Sequence, residues 1–96
     1  MITGTVSVHI VPTAQSLDEI TIFFQDFELG KGRMVLECYG EAWAAYWGSM
    51  GDKTIREFVQ AAGPEYLFNK LSRPRQSKAT DKYLRRIVEA LKVDLK

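Results

Sequence analysis

Ninety-six residues, 46% of them apolar and 26% charged, describe one globular domain too short for two independent cores. No apolar stretch approaches the ~20 residues of a membrane span, and residues 1–5 offer neither a basic n-region nor a long apolar h-region, so neither a spanning nor a secreted protein is expected. The single cysteine rules out an internal disulfide and points to a reducing cytoplasm.

The formal net charge of +1 hides a split chain. Up to Asn69 there are four basic residues against nine acids, a balance of −5; from Lys70 onward nine basic residues face three acids, a balance of +6. Such asymmetry suits a charged partner or two mutually neutralising parts of one fold.

Residues 5–11 alternate, with Val6, Val8 and Ile10 on one side and Thr5, Ser7 and His9 on the other. That period of two predicts a half-buried strand with the apolar trio inward, ended by Pro12. Thr13 to Glu19 reads as a polar connection whose Ser16-Leu17-Asp18-Glu19 suits one helical turn. Residues 20–27 form a second strand: Ile20, Ile22 and Phe24 share one face, Phe23 and Phe27 the other. With both faces apolar, it is expected at the centre of the sheet, or covered by helices on one side and by something else on the other. Gly30 and Gly32 suit a hairpin connection, and 33–39 completes a three-stranded antiparallel meander.

Beyond Gly40 the pattern reads as helical. Trp43 and Trp47 stand at i and i+4, with Tyr39, Tyr46 and Met50 near the same stripe, which predicts a short helix over 41–47 ended by Gly48. Asp52 is the expected N-cap of a helix carrying Ile55, Phe58, Val59 and Ala62. Gly63-Pro64 closes it and opens another, with Tyr66, Leu67, Phe68 and Leu71. Ser72 to Ala79 reads as an exposed, mobile basic loop. Ser77 or Thr80 caps the last helix, whose Leu84, Ile87, Val88, Leu91 and Leu95 form one stripe. The expected architecture is a single α+β domain over 1–96, three strands followed by three to four helices packed on one sheet face.

Catalytic chemistry is sparse. With one histidine and one cysteine there is no metal-ligand set, since such sites need three or four ligands. His9 is expected on the polar side of its strand and Cys38 on the apolar side of its own, which separates them. Gly30-Lys31-Gly32 does not lead into a helix and is no phosphate cradle. The carboxylates Asp18-Glu19 and Glu37/Glu41 are near pairs, and a solvated strand end or helix first turn explains them. No enzyme, no metal and no cofactor is expected.

Two binding surfaces compete. The aromatic block Tyr39, Trp43, Tyr46 and Trp47 either fills the core or anchors a protein partner, and the adjoining Asp26, Glu28 and Glu37 could present a negative edge to a basic partner. The basic segment Arg73, Arg75, Lys78, Lys82, Arg85, Arg86 and Lys92 could track a phosphate backbone, or simply solvate a helix face. Oligomeric state is open, since an edge strand or the Leu84–Leu95 stripe would serve a second copy.

The run Gly32-Arg33-Met34-Val35-Leu36-Glu37-Cys38-Tyr39-Gly40, continuing into Trp43, Tyr46-Trp47-Gly48 and Met50-Gly51 and on to Asn69-Lys70-Leu71, resembles small uncharacterised accessory proteins of tailed bacteriophages and prophages across residues 20–90. The resemblance implies a bacterial cytoplasm, during infection or in a lysogen, and an accessory protein of a kind that binds and modulates a host or phage macromolecule. It supplies no functional residues. A protein partner is the first expectation, and a nucleic-acid-binding module using 73–92 is the alternative.

Overall fold

The structure, a computed structural model, describes residues 5–12 and 19–95. Four antiparallel strands, β1 (Thr5–Val11), β2 (Ile20–Glu28), β3 (Lys31–Cys38) and β4 (Glu41–Trp47), form a meander in the order β1-β2-β3-β4. Three helices follow: α1 (Ile55–Ala61), α2 (Pro64–Leu71) and α3 (Lys78–Asp94). The α+β class is as expected, but there are four strands rather than three, and three helices. The turn expected at 16–19 falls largely outside the described residues.

The fourth strand replaces the helix expected over 41–47. Tyr39 and Gly40 both have positive φ, 53° and 83°, the signature of a two-residue hairpin turn that pairs Cys38 with Glu41. The Glu37 carboxylate accepts the Gly40 N–H at 2.7 Å and closes the turn. From there Trp43, Ala45 and Trp47 point to one face and Ala42, Ala44 and Tyr46 to the other. A spacing of four residues fits a period of two as well as one of 3.6, so the tryptophan pair alone does not distinguish strand from helix.

The second hairpin places Leu29-Gly30 between Glu28 and Lys31, with a bulge between Asp26 and Glu28. Two glycines here are required by close approach. A Cβ on Gly30 would lie 2.4 Å from the Gly51 carbonyl oxygen, and one on Gly32 would lie 2.8 Å from the Ile55 Cβ. The 48–53 connection thereby docks on the hairpin, where the Met50 N–H donates to the Gly30 carbonyl at 2.8 Å.

All three helices lie on one sheet face. Ile20, Ile22, Phe24, Met34, Leu36, Cys38, Trp43 and Trp47 meet Ile55, Val59, Leu67, Leu71, Leu84, Ile87 and Leu91 there. The N-cap of α1 is Thr54, not Asp52: its side chain accepts the Glu57 N–H while Glu57 reaches back to the Thr54 N–H, a reciprocal capping box. Asp26, from β2, adds an acceptor for the Ile55 N–H at 2.8 Å. Lys92 of α3 donates to the Val59 and Gln60 carbonyls at the end of α1, at 3.0 and 2.6 Å. Ser77 caps α3 by accepting from the Thr80 N–H.

The orientation of β1 is the reverse of the expected one. The register Val11↔Ile20 and His9↔Ile22 puts Val11 and His9 on the helix side, leaving Val6, Val8 and Ile10 on the opposite face at 51 to 58% exposure. β1 is an edge strand, and the helix side has room there for polar groups: Ser7 is exposed and His9 half-buried.

Candidate protein-contact surface

The aromatic block divides between the two faces of β4. Trp43 and Trp47, 1% and 6% exposed, are core residues whose ring N–H groups are satisfied inside the protein. Trp43 Nε1–H donates to Gln76 Oε1 at 3.1 Å, and Trp47 Nε1–H to the Tyr66 hydroxyl at 2.9 Å. Neither ring reaches solvent as a partner anchor would. Tyr39, 78% exposed at the hairpin turn, and Tyr46, on the helix-free face of β4, do reach it.

Tyr46 belongs to a larger surface that the positions of the aromatics do not reveal. Strand register aligns three rows across the helix-free face. The central row is Val8, Phe23, Val35 and Ala44, apolar from edge to edge. On one side lies the row Val6, Gln25, Arg33 and Tyr46; on the other, Ile10, Thr21, Glu37 and Ala42. Phe27, at the bulge, stacks tilted on Tyr46 at 5.9 Å between centroids, and the Arg33 guanidinium sits 5.3 Å from the Phe27 ring. No helix of the described residues covers these rows, and Val6, Val8, Ile10, Phe23 and Tyr46 are all exposed. Contiguous exposed apolar area of this kind marks interaction surfaces. The sequence did carry one signal of it: Phe23 and Val35 give β2 and β3 apolar side chains on both faces, while the helices follow in one run and cover one.

The basic segment is partly committed to holding the fold. Arg73 bonds Glu41 at 2.7 Å and lies 5.2 Å over the Trp43 ring. Arg85 bonds Glu65 at 2.6 Å and lies 3.9 Å over Phe68; the Glu65 hydrogen bond raises its pKa further. Lys92 is held at the end of α1, where burial lowers its pKa. Gln76 joins the 72–77 connection to α3 and the sheet through Trp43, Ser72 and Asp81. Arg75, Lys78 and Lys82 are exposed, and Arg86 lies on the outer side of α3.

His9 shares the helix side of the sheet with Cys38, contrary to the separation expected from alternation. Its Nε2 meets Asp94 Oδ2 at 2.5 Å, and the Arg56 guanidinium donates to its Nδ1 at 3.3 Å. Those roles assign the proton to Nε2. Both ring nitrogens are therefore occupied, and the imidazole fastens β1 to α1 and α3. Cys38 is buried with its Sγ 3.1 Å from the Tyr83 hydroxyl. Glu37 and Glu41 serve the hairpin turn and Arg73, and Asp18 lies outside the described residues. Among the described residues, no three His, Cys, Asp or Glu side chains gather to hold a metal ion.

A family model described as a phage family, Phage_phiTE_072, matches residues 1–96. The chain belongs to this phage family. No curated protein and no solved structure matches the chain significantly. Membership sets a phage or prophage context, in agreement with the resemblance across residues 20–90. No helix of the described residues is long and apolar enough to cross a membrane.

Proposed function

We propose that the chain is a non-catalytic phage accessory protein, acting in the bacterial cytoplasm by binding and modulating a host or phage protein. The contact is the helix-free sheet face. The supporting observation is the uninterrupted apolar row Val8, Phe23, Val35 and Ala44, flanked by exposed Val6, Ile10 and Tyr46. A protein partner is the ligand class that gains by covering apolar strands, because burial contributes ~25 cal/mol per Å² removed from water.

This locates the contact differently from the aromatic block. Tyr46 remains in it and Tyr39 stands at its rim, while Trp43 and Trp47 act from beneath by fixing the sheet to its helices. The alternative, nucleic-acid binding through 73–92, retains Arg75, Lys78 and Lys82 but must draw on Arg73, Arg85 and Lys92, which already hold Glu41, Glu65 and the end of α1.

Affinity capture from infected bacteria tests the reading. Val8→Asp and Val35→Lys are expected to remove the captured protein while leaving the fold intact by circular dichroism. Changing Arg75, Lys78 and Lys82 together to Ala is expected to leave capture unchanged. A gel shift of DNA or RNA that persists at moderate salt and is lost in that triple variant would instead favour the nucleic-acid alternative.

A further inference from the structure

The helix-free face is complementary to itself. Take a two-fold axis lying between two stacked sheets, perpendicular to the strands and passing over the central row. The central residues then meet their own counterparts, and the flanking rows exchange places. On β3, Arg33 of one copy stands over Glu37 of the other, twice by symmetry, with Val35 on Val35 between them. On β4 the large Tyr46 ring stands over the small Ala42. On β2 Gln25 meets Thr21. Each match follows from register positions two residues either side of the central row. Packed sheets cross within about 30° and lie ~10 Å apart, which keeps the central strands β2 and β3 over their counterparts. Resting on the reading of this face as a protein contact, we infer that, until another protein displaces it, its occupant is a second copy of the chain, in a face-to-face two-fold dimer.

Charge supports the pairing. Arg33 and Glu37 are the two charged side chains in the three rows, they have opposite sign, and they sit symmetrically about Val35. Arg33 gives Gln25 one hydrogen bond and Glu37 takes one from Gly40, so donors and acceptors remain on both for the partner copy. An isologous interface requires such self-matching, because every residue meets the same patch reversed.

The area sets the strength. Four strands ~4.8 Å apart and five to seven residues rising ~3.4 Å each give a face of roughly 350–450 Å² in projection. Two such faces, with side-chain relief added, fall near the lower end of the ~1,200–2,000 Å² of specific interfaces. Interfaces of that size suit reversible association, and dissociation in the micromolar range is the expected outcome.

Sedimentation velocity on the full chain, from roughly 1 to 300 μM, brackets that range. Wild type is expected to pass from monomer to dimer. Arg33→Glu alone and Glu37→Arg alone each place like charges opposite and are expected to weaken dimerisation about tenfold or more. An equimolar mixture of these two single variants restores opposite charges at both contacts and is expected to recover association. Val35→Lys removes the dimer, and Val8→Asp on the edge strand does the same where Glu37→Arg disturbs the Gly40 turn. A chain that stays monomeric throughout, a dimer indifferent to Val35→Lys and Val8→Asp, or a mixture no better than its components would each overturn the inference. A monomer whose capture of another protein is still lost in Val35→Lys overturns the second copy but leaves the protein-contact reading standing. If neither association nor capture responds, both fall.

Discussion

The Trp43 side chain carries more of the packing than its aromatic neighbours on the surface. Its ring is buried against the helices, its N–H is bonded to Gln76, Tyr83 lies tilted 6.3 Å away, and Arg73 covers it from outside. Trp43→Ala is expected to cost about 3–5 kcal/mol in urea unfolding, enough to consume much of a small domain's stability. Tyr39 offers the contrast. It is exposed and held at a φ of 53°, a conformation that disfavours side chains with a Cβ by about 1–2 kcal/mol, asparagine less than most. Tyr39→Asn creates the Asn-Gly pair this turn prefers and is expected to raise the unfolding midpoint.

Among the elements, α1 depends most on its first turn. It is seven residues long, marginal by itself, and is fixed at one end by the Thr54–Glu57 box with Asp26 and at the other by Lys92. Thr54→Ala is expected to cost about 1 kcal/mol. Hydrogen bonds from the Thr54 N–H and hydroxyl hold the Glu57 carboxyl below its ordinary pKa. Its folded value thus lies below its unfolded one, and the stabilisation is full above the unfolded value of about 4.3 and is lost as pH falls through the folded one. Thermal melts from neutral to acid pH are expected to show wild type and Glu57→Gln converging as the carboxyl protonates. A constant gap between them would mean that the box contributes nothing through its charge.

At the scale of the whole molecule, periodicity carried much of the fold. The strands 5–11, 20–27 and 33–39, the helical stripes and the packing of helices on one sheet face can all be read from the sequence. Two features were hidden for separable reasons. In β4 the alanines at 42, 44 and 45 are too small to mark which face they occupy, so the tryptophan spacing stood alone and was ambiguous. In β1 the alternation is legible but its direction is inverted, because apolarity alone sends Val6, Val8 and Ile10 to the core. The direction depends on what His9 meets, and Asp94 lies 85 residues away. The same inversion hides the open face: once Val6, Val8 and Ile10 are placed inside, nothing remains to join Phe23 and Val35 in an open row. Tyr46 was legible as a surface aromatic only by association with tryptophans that turned out to be core.

The His9–Asp94 fastening also bears on how the chain is born. A ribosome adds about 5–20 residues per second, so roughly 4 to 17 s separate the synthesis of the two partners. Throughout that interval the first strand lacks its tie to the final helix, although its apolar Val6, Val8 and Ile10 are already made. The tie between the first strand and the last helix can form only once nearly the whole chain has been made.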